Sequence, residues 1–528
     1  MKPFYFYFLL FASLGAFAQA PLIEWQDTFG GTDRDEYRSM VITADGGVVI
    51  AGASQSVNGD LLMNHGGNDV VLVKYNALGG IVWKKTFGGS SYDEARSIRQ
   101  TSDNGFVICG FSNSNDGDAA VTHNYDDYWI VKTDAAGNLE WQKSYGGNST
   151  DIANDIRQTA DGGYIVIGQS QSNTFNGDMA NHYAGDDVWI LKLDAMGNKQ
   201  WEKNYGGSGE DTGRSIFQTA DGDFIFAATT NSFNHDVVGV HDPYNYTGSY
   251  VNRDLWVVKI NAVGTLLWQT CVGGNGGDAL LGAHAMAQTA DGGVIMAGEY
   301  YGSWAPSSFT YYNCKLAKVS ASGVVEWEKV YGGTYDDRAY CVVQTSDGGY
   351  AFAAQAQSGV PEVVGIHGGS GPHGYYGDIW LVKTDALGNV QWKKCYGGDN
   401  SETPYALAQT ADDGFLIAGI AASNNSGDVI GTAGIYDAWL LKLSAATLGT
   451  QIETALPSFT IYPNPTRSSI SVSSPALMAS YNVVDNLGRI VKQGTTTPID
   501  VTNLQPGVYV LRVQAENGQI ESQKFIKQ

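Results

Sequence analysis

The chain has 528 residues, 67 of them Gly and 12% of them aromatic, a composition that suits many short strands and tight turns better than helices. Its formal charge is −23, so its surface repels phosphate backbones and nucleic acid is not expected as a partner, while divalent cations are not excluded. The five Cys are odd in number and show no C-x-x-C spacing, which removes the common zinc and dithiol redox motifs.

Residues 1–20 read as a signal peptide. Lys2 precedes an apolar run over residues 4–17, and Ala16, Ala18 and Ala20 supply A-x-A cleavage sites. The run is too short for a permanent membrane span, and no Cys follows it for lipid attachment. No other segment approaches 18 consecutive apolar residues, so no transmembrane segment is expected.

Residues 21–451 repeat one pattern seven times. A Trp opens each copy, at Trp25, Trp83, Trp141, Trp201, Trp268, Trp327 and Trp392, with spacings of 58, 58, 60, 67, 59 and 65. A Gly-Gly pair follows each Trp, and then come a strand ending in Gln-Thr (Ile42-Thr43 in the first copy), an Asp-Gly-Gly-type turn and an apolar strand. A longer loop, a third strand with a Lys, and a second tight turn complete the copy. No stretch sustains a 3.6-residue period. The array begins with a lone fourth strand and ends on a third strand that has no fourth. Pairing these ends would remove exposed edges. The expected fold is therefore all-β, a seven-bladed β-propeller closed by the N-terminal strand.

Several positions recur in every copy. Ten residues after each Trp stands a carboxylate: Asp35, Asp93, Asp151, Asp211, Asp278, Asp337 and Glu402. These would form an acidic ring near the channel mouth. A ring of this kind could attract calcium. The favoured alternative is that each carboxylate caps backbone N–H groups of its Gly-Gly turn. The third-strand Lys (Lys74, Lys132, Lys192, Lys259, Lys318, Lys383, Lys442) is expected to pair with a neighbouring carboxylate or lie along the blade edge. A loop His recurs at His65, His123, His182, His241 and His367, and a hydrogen bond within the loop is favoured over a metal. No metal site or other cofactor is assigned.

The fifth copy departs from the pattern. It carries Glu299, Tyr300, Tyr301, Trp304, Phe309, Tyr311 and Tyr312 in its long loop, and Trp304 is the only Trp outside a repeat position. Flat aromatics beside a carboxylate suit stacking on sugar rings. The alternative is a loop that packs its own aromatics over a blade edge. The long loops of copies four and six (His235, His241, His367, His373) could wall the same pocket. No G-x-S-x-G elbow, H-E-x-x-H or phosphate-binding loop is present, so no catalytic residue is assigned.

Residues 452–457 read as a linker, and residues 458–528 as a small C-terminal β-sandwich. Tyr462-Pro463-Asn464-Pro465, then Asp485-Asn-Leu-Gly488-Arg489, then Leu504-Gln-Pro-Gly507-Val-Tyr509-Val-Leu-Arg-Val, and a terminal Lys524-Phe-Ile-Lys stand in this order. Together they resemble the type A C-terminal sorting domain of type IX secretion. The resemblance implies passage through the periplasm and across the outer membrane of a Gram-negative bacterium, with the secretion machinery as a partner. Secretion or surface attachment would follow. The repeats also resemble the Gly-Gly-x-x-x-Asp…Gln-Thr-x-Asp-Gly-Gly repeats of exported proteins from such bacteria, some of which carry endoglucanase-like labels. Three functions stay open at this point: a surface module that binds glycan or protein, a carbohydrate-active enzyme using carboxylates at the channel mouth, and a structural or adhesive surface protein.

Overall fold

The computed structural model describes residues 18–528 except 62–63, 120–122, 124, 173–177, 180–182, 242–251, 275, 304–309, 360–362, 364, 368–375, 432–433, 449–459, 474–477, 485–488 and 516–519. Residues 1–17 of the expected leader and the whole expected linker thus lie outside the described residues. The chain divides into two compact units, residues 1–449 and 450–528. Among the described residues there is no helix, and so none long and apolar enough to cross a membrane.

The first unit is a propeller-like succession of antiparallel sheets. The first sheet, Asp35–Ile42, Val48–Ser54, Asp69–Tyr75 and Ile81–Phe87, sets the pattern, with each strand bonded to the next in sequence. Sheets two, three, four and six repeat it from Asp93, Asp151, Asp211 and Asp337. The seventh holds Glu402–Gln409, Phe415–Ala421 and Asp437–Leu443, and its fourth member is the N-terminal strand Ile23–Phe29. Trp25 lies opposite Lys442 and Phe29 opposite Ala438 in that pairing. Antiparallel order puts both tight turns of a sheet at one end. The Gly-Gly connection and the long loop share the other end.

Apolar clusters link consecutive sheets. One joins the first sheet to the second through Val49, Leu72, Phe106 and Trp129. The series continues through Ile130 and Trp189, Ile190 and Trp256, Val257 and Met296, Leu316 and Trp380, and Leu381 and Trp439. The last member packs Leu440 of the seventh sheet against Ile50 and Tyr75 of the first. Burial of these alternating faces supplies the main driving force, at roughly 25 cal/mol per Å² of apolar surface.

The fifth sheet breaks the pattern. Its first strand is split into Gly277–Ala279 and Met286–Gln288, both paired with a ten-residue strand, Val294–Ser303. Asp278 and Thr289 are eleven positions apart, whereas Asp93 and Thr101 are eight apart. The surplus residues cannot join the ladder and leave it around Gly282. There, His284 accepts a bond at its carbonyl from Val342 N–H (3.0 Å), and its Nε2 meets Ser39 Oγ of the first sheet (2.8 Å).

In the second unit, a three-stranded sheet (Thr460–Tyr462, Ser469–Ser473, Ile499–Asp500) and a four-stranded one (Met478–Val484, Ile490–Gly494, Gly507–Ala515, Ile520–Lys527) share one apolar cluster. Ile461, Ile470, Val483, Leu511 and Phe525 lie in it.

Candidate functional site

The recurring polar residues are committed to the scaffold. Each carboxylate of the expected acidic ring is at most 1% exposed. Asp35 accepts from Gly31 N–H (2.8 Å), Ser56 Oγ (2.7 Å) and Ser54 Oγ. Asp93, Asp151 and Asp211 accept from the second Gly of their own turns and from paired Ser or Thr hydroxyls. Asp337 binds Gly333 N–H and Ser358, and Glu402 binds Gly398 N–H and Ser423 N–H. Burial lifts Asp151 and Asp337 to about 6 and Glu402 to about 7, against the pull of these donors. In these six the geometry is that of caps; Asp278 differs, and all seven side chains are buried.

A second set of carboxylates was not singled out from sequence. Asp69, Asp127, Asp254 and Asp378 open third strands, buried, and each holds the loop His through its Nδ1. The distances for His65, His123, His241 and His367 are 2.8, 2.9, 2.8 and 2.8 Å. His182 and His373 lie outside the described residues. The third-strand lysines bind the Asp of the first tight turn, as in Lys132–Asp103 (2.8 Å) and Lys318–Asp291 (2.9 Å). Among the described residues, no cluster of three or more His, Cys, Asp or Glu is placed to hold a metal ion. All five Cys are buried free thiols.

The fifth sheet exchanges scaffold for surface. Where other sheets put hydroxyls on the innermost carboxylate, it has Tyr300 opposite Asp278, with Gly302 two residues on. Asp278 turns instead to Lys315 (3.1 Å), which also meets Glu328 (2.8 Å). Freed from capping, Val294–Ser303 and Thr310–Val319 run on as a hairpin three residues longer per strand than the seven-residue strands elsewhere. Tyr301 lies opposite Tyr312 with ring centroids 4.8 Å apart, and Tyr311 meets Tyr335 edge-on at 5.6 Å. The Arg338 guanidinium lies over the Tyr312 ring at 3.9 Å and is 3.5 Å from Glu299 and 3.4 Å from Asp336. Burial lifts Glu299 to about 7 against the Arg338 charge. A Cβ on Gly302 would overlap the Tyr300 ring, so a larger residue there would displace that side chain. The structure thus brings Glu299, Tyr300, Tyr301, Tyr311 and Tyr312 together, while Trp304 and Phe309 lie outside the described residues.

Next to this hairpin the first strands converge. Tyr340 and Tyr405 meet edge-on at 5.6 Å, and Arg38 lies over Tyr405 at 4.2 Å. Arg38, Arg96 and Arg214 stand three residues after an innermost carboxylate, a position where other copies carry Asn154, Leu281, Tyr340 and Tyr405. Sequence reading passed over them because the position does not recur.

In the second unit, Asn464, Gly507 and Tyr509 of the sorting motif lie against the C-terminal strand. Asn464 Oδ1 accepts from Ile526 N–H (2.9 Å), between cis peptide bonds at Pro463 and Pro465. Gly507 is paired with Lys527, and Tyr509 stacks on Phe525 at 5.7 Å and donates to Gln505 O (2.9 Å). Tyr462 is exposed, and Arg489 opens the edge strand Ile490–Gly494. Gly488 lies outside the described residues.

Comparison with known proteins separates the two units. No curated protein matches the chain. Among solved structures, a protein of unknown function from Bacteroides caccae is 14% identical, covering 62% of this chain and 89% of its own, with a TM-score of 0.32. A polysaccharide lyase, the PL25 ulvan lyase, is 11% identical over 78% and 97% with a TM-score of 0.43. The Pan2 WD40 domain of Neurospora crassa is 9% identical over 77% and 89% with a TM-score of 0.40. Likeness at this level bears on neither ligand nor mechanism. Residues 460–528, by contrast, match the family model of the secretion system C-terminal sorting domain, which marks the chain for type IX secretion across the outer membrane to the cell surface or beyond.

Proposed function

We propose that the chain is an exported seven-bladed β-propeller, closed by Ile23–Phe29 and followed by a β-sandwich sorting domain, and that it binds saccharide through the hairpin of its fifth sheet. The cyclic order of the apolar clusters supports the closed ring. The observation that carries the binding reading is the extended hairpin, where Tyr300 stands in the place of a capping residue and Tyr301, Tyr311 and Tyr312 lie near it beside Arg338 and Glu299. Tyrosine rings offer apolar faces to sugar C–H groups, and their hydroxyls and the nearby charges supply polar contacts. Loops at this end vary in length while the turns at the other end do not, as suits a rigid scaffold presenting a site.

A second reading rests on Glu299. A carboxyl titrating near neutrality is what a general acid needs, which keeps a carbohydrate-active enzyme in view. Both readings are tested by mixing the full chain with a polysaccharide panel and following size-exclusion profiles for a day. Co-elution that Tyr301→Ala and Tyr312→Ala each weaken by at least about fivefold supports binding at the hairpin. A polysaccharide that shortens with time, and stops doing so in Glu299→Gln, supports the enzyme. No change in any profile rejects both and directs the search to a protein partner.

A further inference from the structure

A shallow recess of about 20 Å³, partly open to solvent, lies where the first strands converge. Its walls include Arg38, Arg96, Asn154, Arg214 and Tyr405, with Gly282 from the segment displaced in the fifth sheet. Three guanidinium groups thus face one small space in a chain of net charge −23. Two of them have counter-charges: Arg38 is 2.7 Å from Glu36 and 3.4 Å from Glu94, and Arg96 is 2.8 Å from Glu94. Arg214 differs. Its Nε is buried without a hydrogen-bond partner, and no ion pair reaches it among the described residues. Burial, with repulsion from Arg96 and Arg253, pulls its guanidinium down to about 10, so it still carries its charge at neutral pH.

A guanidinium whose Nε is buried without a partner costs stability, because the hydration lost at that nitrogen is not replaced. The blade does not require it, since the same position is Asn154, Leu281, Tyr340 or Tyr405 in other copies. A costly group that the scaffold can do without is the usual mark of a ligand site. Planar forks with free N–H donors match oxyanions. A recess this small seats no more than one anionic group at its mouth.

We propose that this recess binds the carboxylate or sulfate group of an acidic sugar, with Arg214 as its principal anchor and Arg38 and Arg96 at its sides. The proposal rests on the saccharide-binding reading and narrows it to anionic saccharides. Glu299 of the tyrosine hairpin and Arg338 of the neighbouring strand Asp337–Gln344 adjoin the same region, since Glu299 feels the charges of both Arg338 and Arg214. One sugar chain could therefore stack on the hairpin and place its acid group in the recess.

The test uses the full chain and its Arg214→Gln variant. Calorimetry would be run at one ionic strength with dextran, dextran sulfate, alginate and inorganic sulfate. The expected result is binding of dextran sulfate or alginate, weakened at least about tenfold in Arg214→Gln, as the loss of a charge-assisted bond requires. The unliganded variant should melt no lower than the parent, which shows that it is folded. Inorganic sulfate competing with either polymer would support the anion site itself. Anionic polymers that fail to bind, or that bind Arg214→Gln as tightly as the parent, would overturn the proposal. Dextran sulfate binding that depends on Tyr312 and not on Arg214 would overturn it too, while leaving the saccharide-binding function standing.

Discussion

Buried carboxylates persist in this chain because donors replace their water. Asp337 shows the arrangement most fully, with N–H groups of Gly333, Gln357 and Ser358 and the Ser358 hydroxyl all pointing at it. Asp337→Ala strands those donors and is expected to cost about 2–4 kcal/mol in urea unfolding. Burial also lifts Asp187, Asp278 and Glu402 to about 7. Each such group binds its proton more tightly folded than unfolded, so its stabilising contribution is present below the unfolded carboxylate range and lost as pH rises to about 7. Asp103, Asp161 and Asp291 act oppositely. Against the effect of partial burial, the bonds from Lys132, Lys192 and Lys318 and from Thr hydroxyls hold them at about 2, and their contribution is lost as pH falls from about 4. Thermal midpoints should therefore be higher near about pH 5 than near about pH 8, and a profile that rises with pH would contradict this balance. The capping role of six of these carboxylates could be read from sequence because each keeps a fixed spacing from a Gly-Gly pair, whereas Asp278 keeps the spacing and turns to Lys315. Arg38, Arg96 and Arg214 could not, because a position that changes identity from copy to copy gives repeat analysis nothing to align.

At the scale of the element, close approach of backbones fixes the glycines of the second strands. A Cβ on Gly110 would overlap the Glu94 carbonyl oxygen where the first strand of that sheet bulges between Ala95 and Ser97. Gly110→Ala is expected to cost at least about 2 kcal/mol, measured by denaturant unfolding, since backbone rather than a mobile side chain must give way. Strand order and turn positions were legible throughout because apolar runs alternate with Asp-Gly-Gly turns. The split first strand of the fifth sheet was not. Trp268 to Trp327 spans 59 residues, so the regular spacing concealed a surplus before Thr289. The extended hairpin was half legible. Its aromatics stood out, but its continuation as paired strand depends on Lys315 taking over Asp278, a contact between strands that no local pattern encodes.

For the whole first unit, the pairing of Ile23–Phe29 with Asp437–Leu443 joins chain segments more than 400 residues apart. Pro21 O also accepts from Tyr396 OH (2.8 Å) in the sixth sheet. Deleting residues 18–29 would expose an edge and uncover the apolar cluster between the seventh and first sheets. The proposed closed ring predicts loss of a single cooperative melt and the onset of aggregation. Complementary chain ends made this pairing legible, whereas convergence of the first strands on a positively lined recess emerges only once the sheets are packed. The saccharide site is most directly tested by hydrogen exchange of the full chain with and without dextran sulfate. The account predicts new protection in Val294–Ser303, Thr310–Val319 and Asp337–Gln344. Protection confined to the tight turns around Asp103, Asp161 and Asp291, at the opposite end of the sheets, would contradict it.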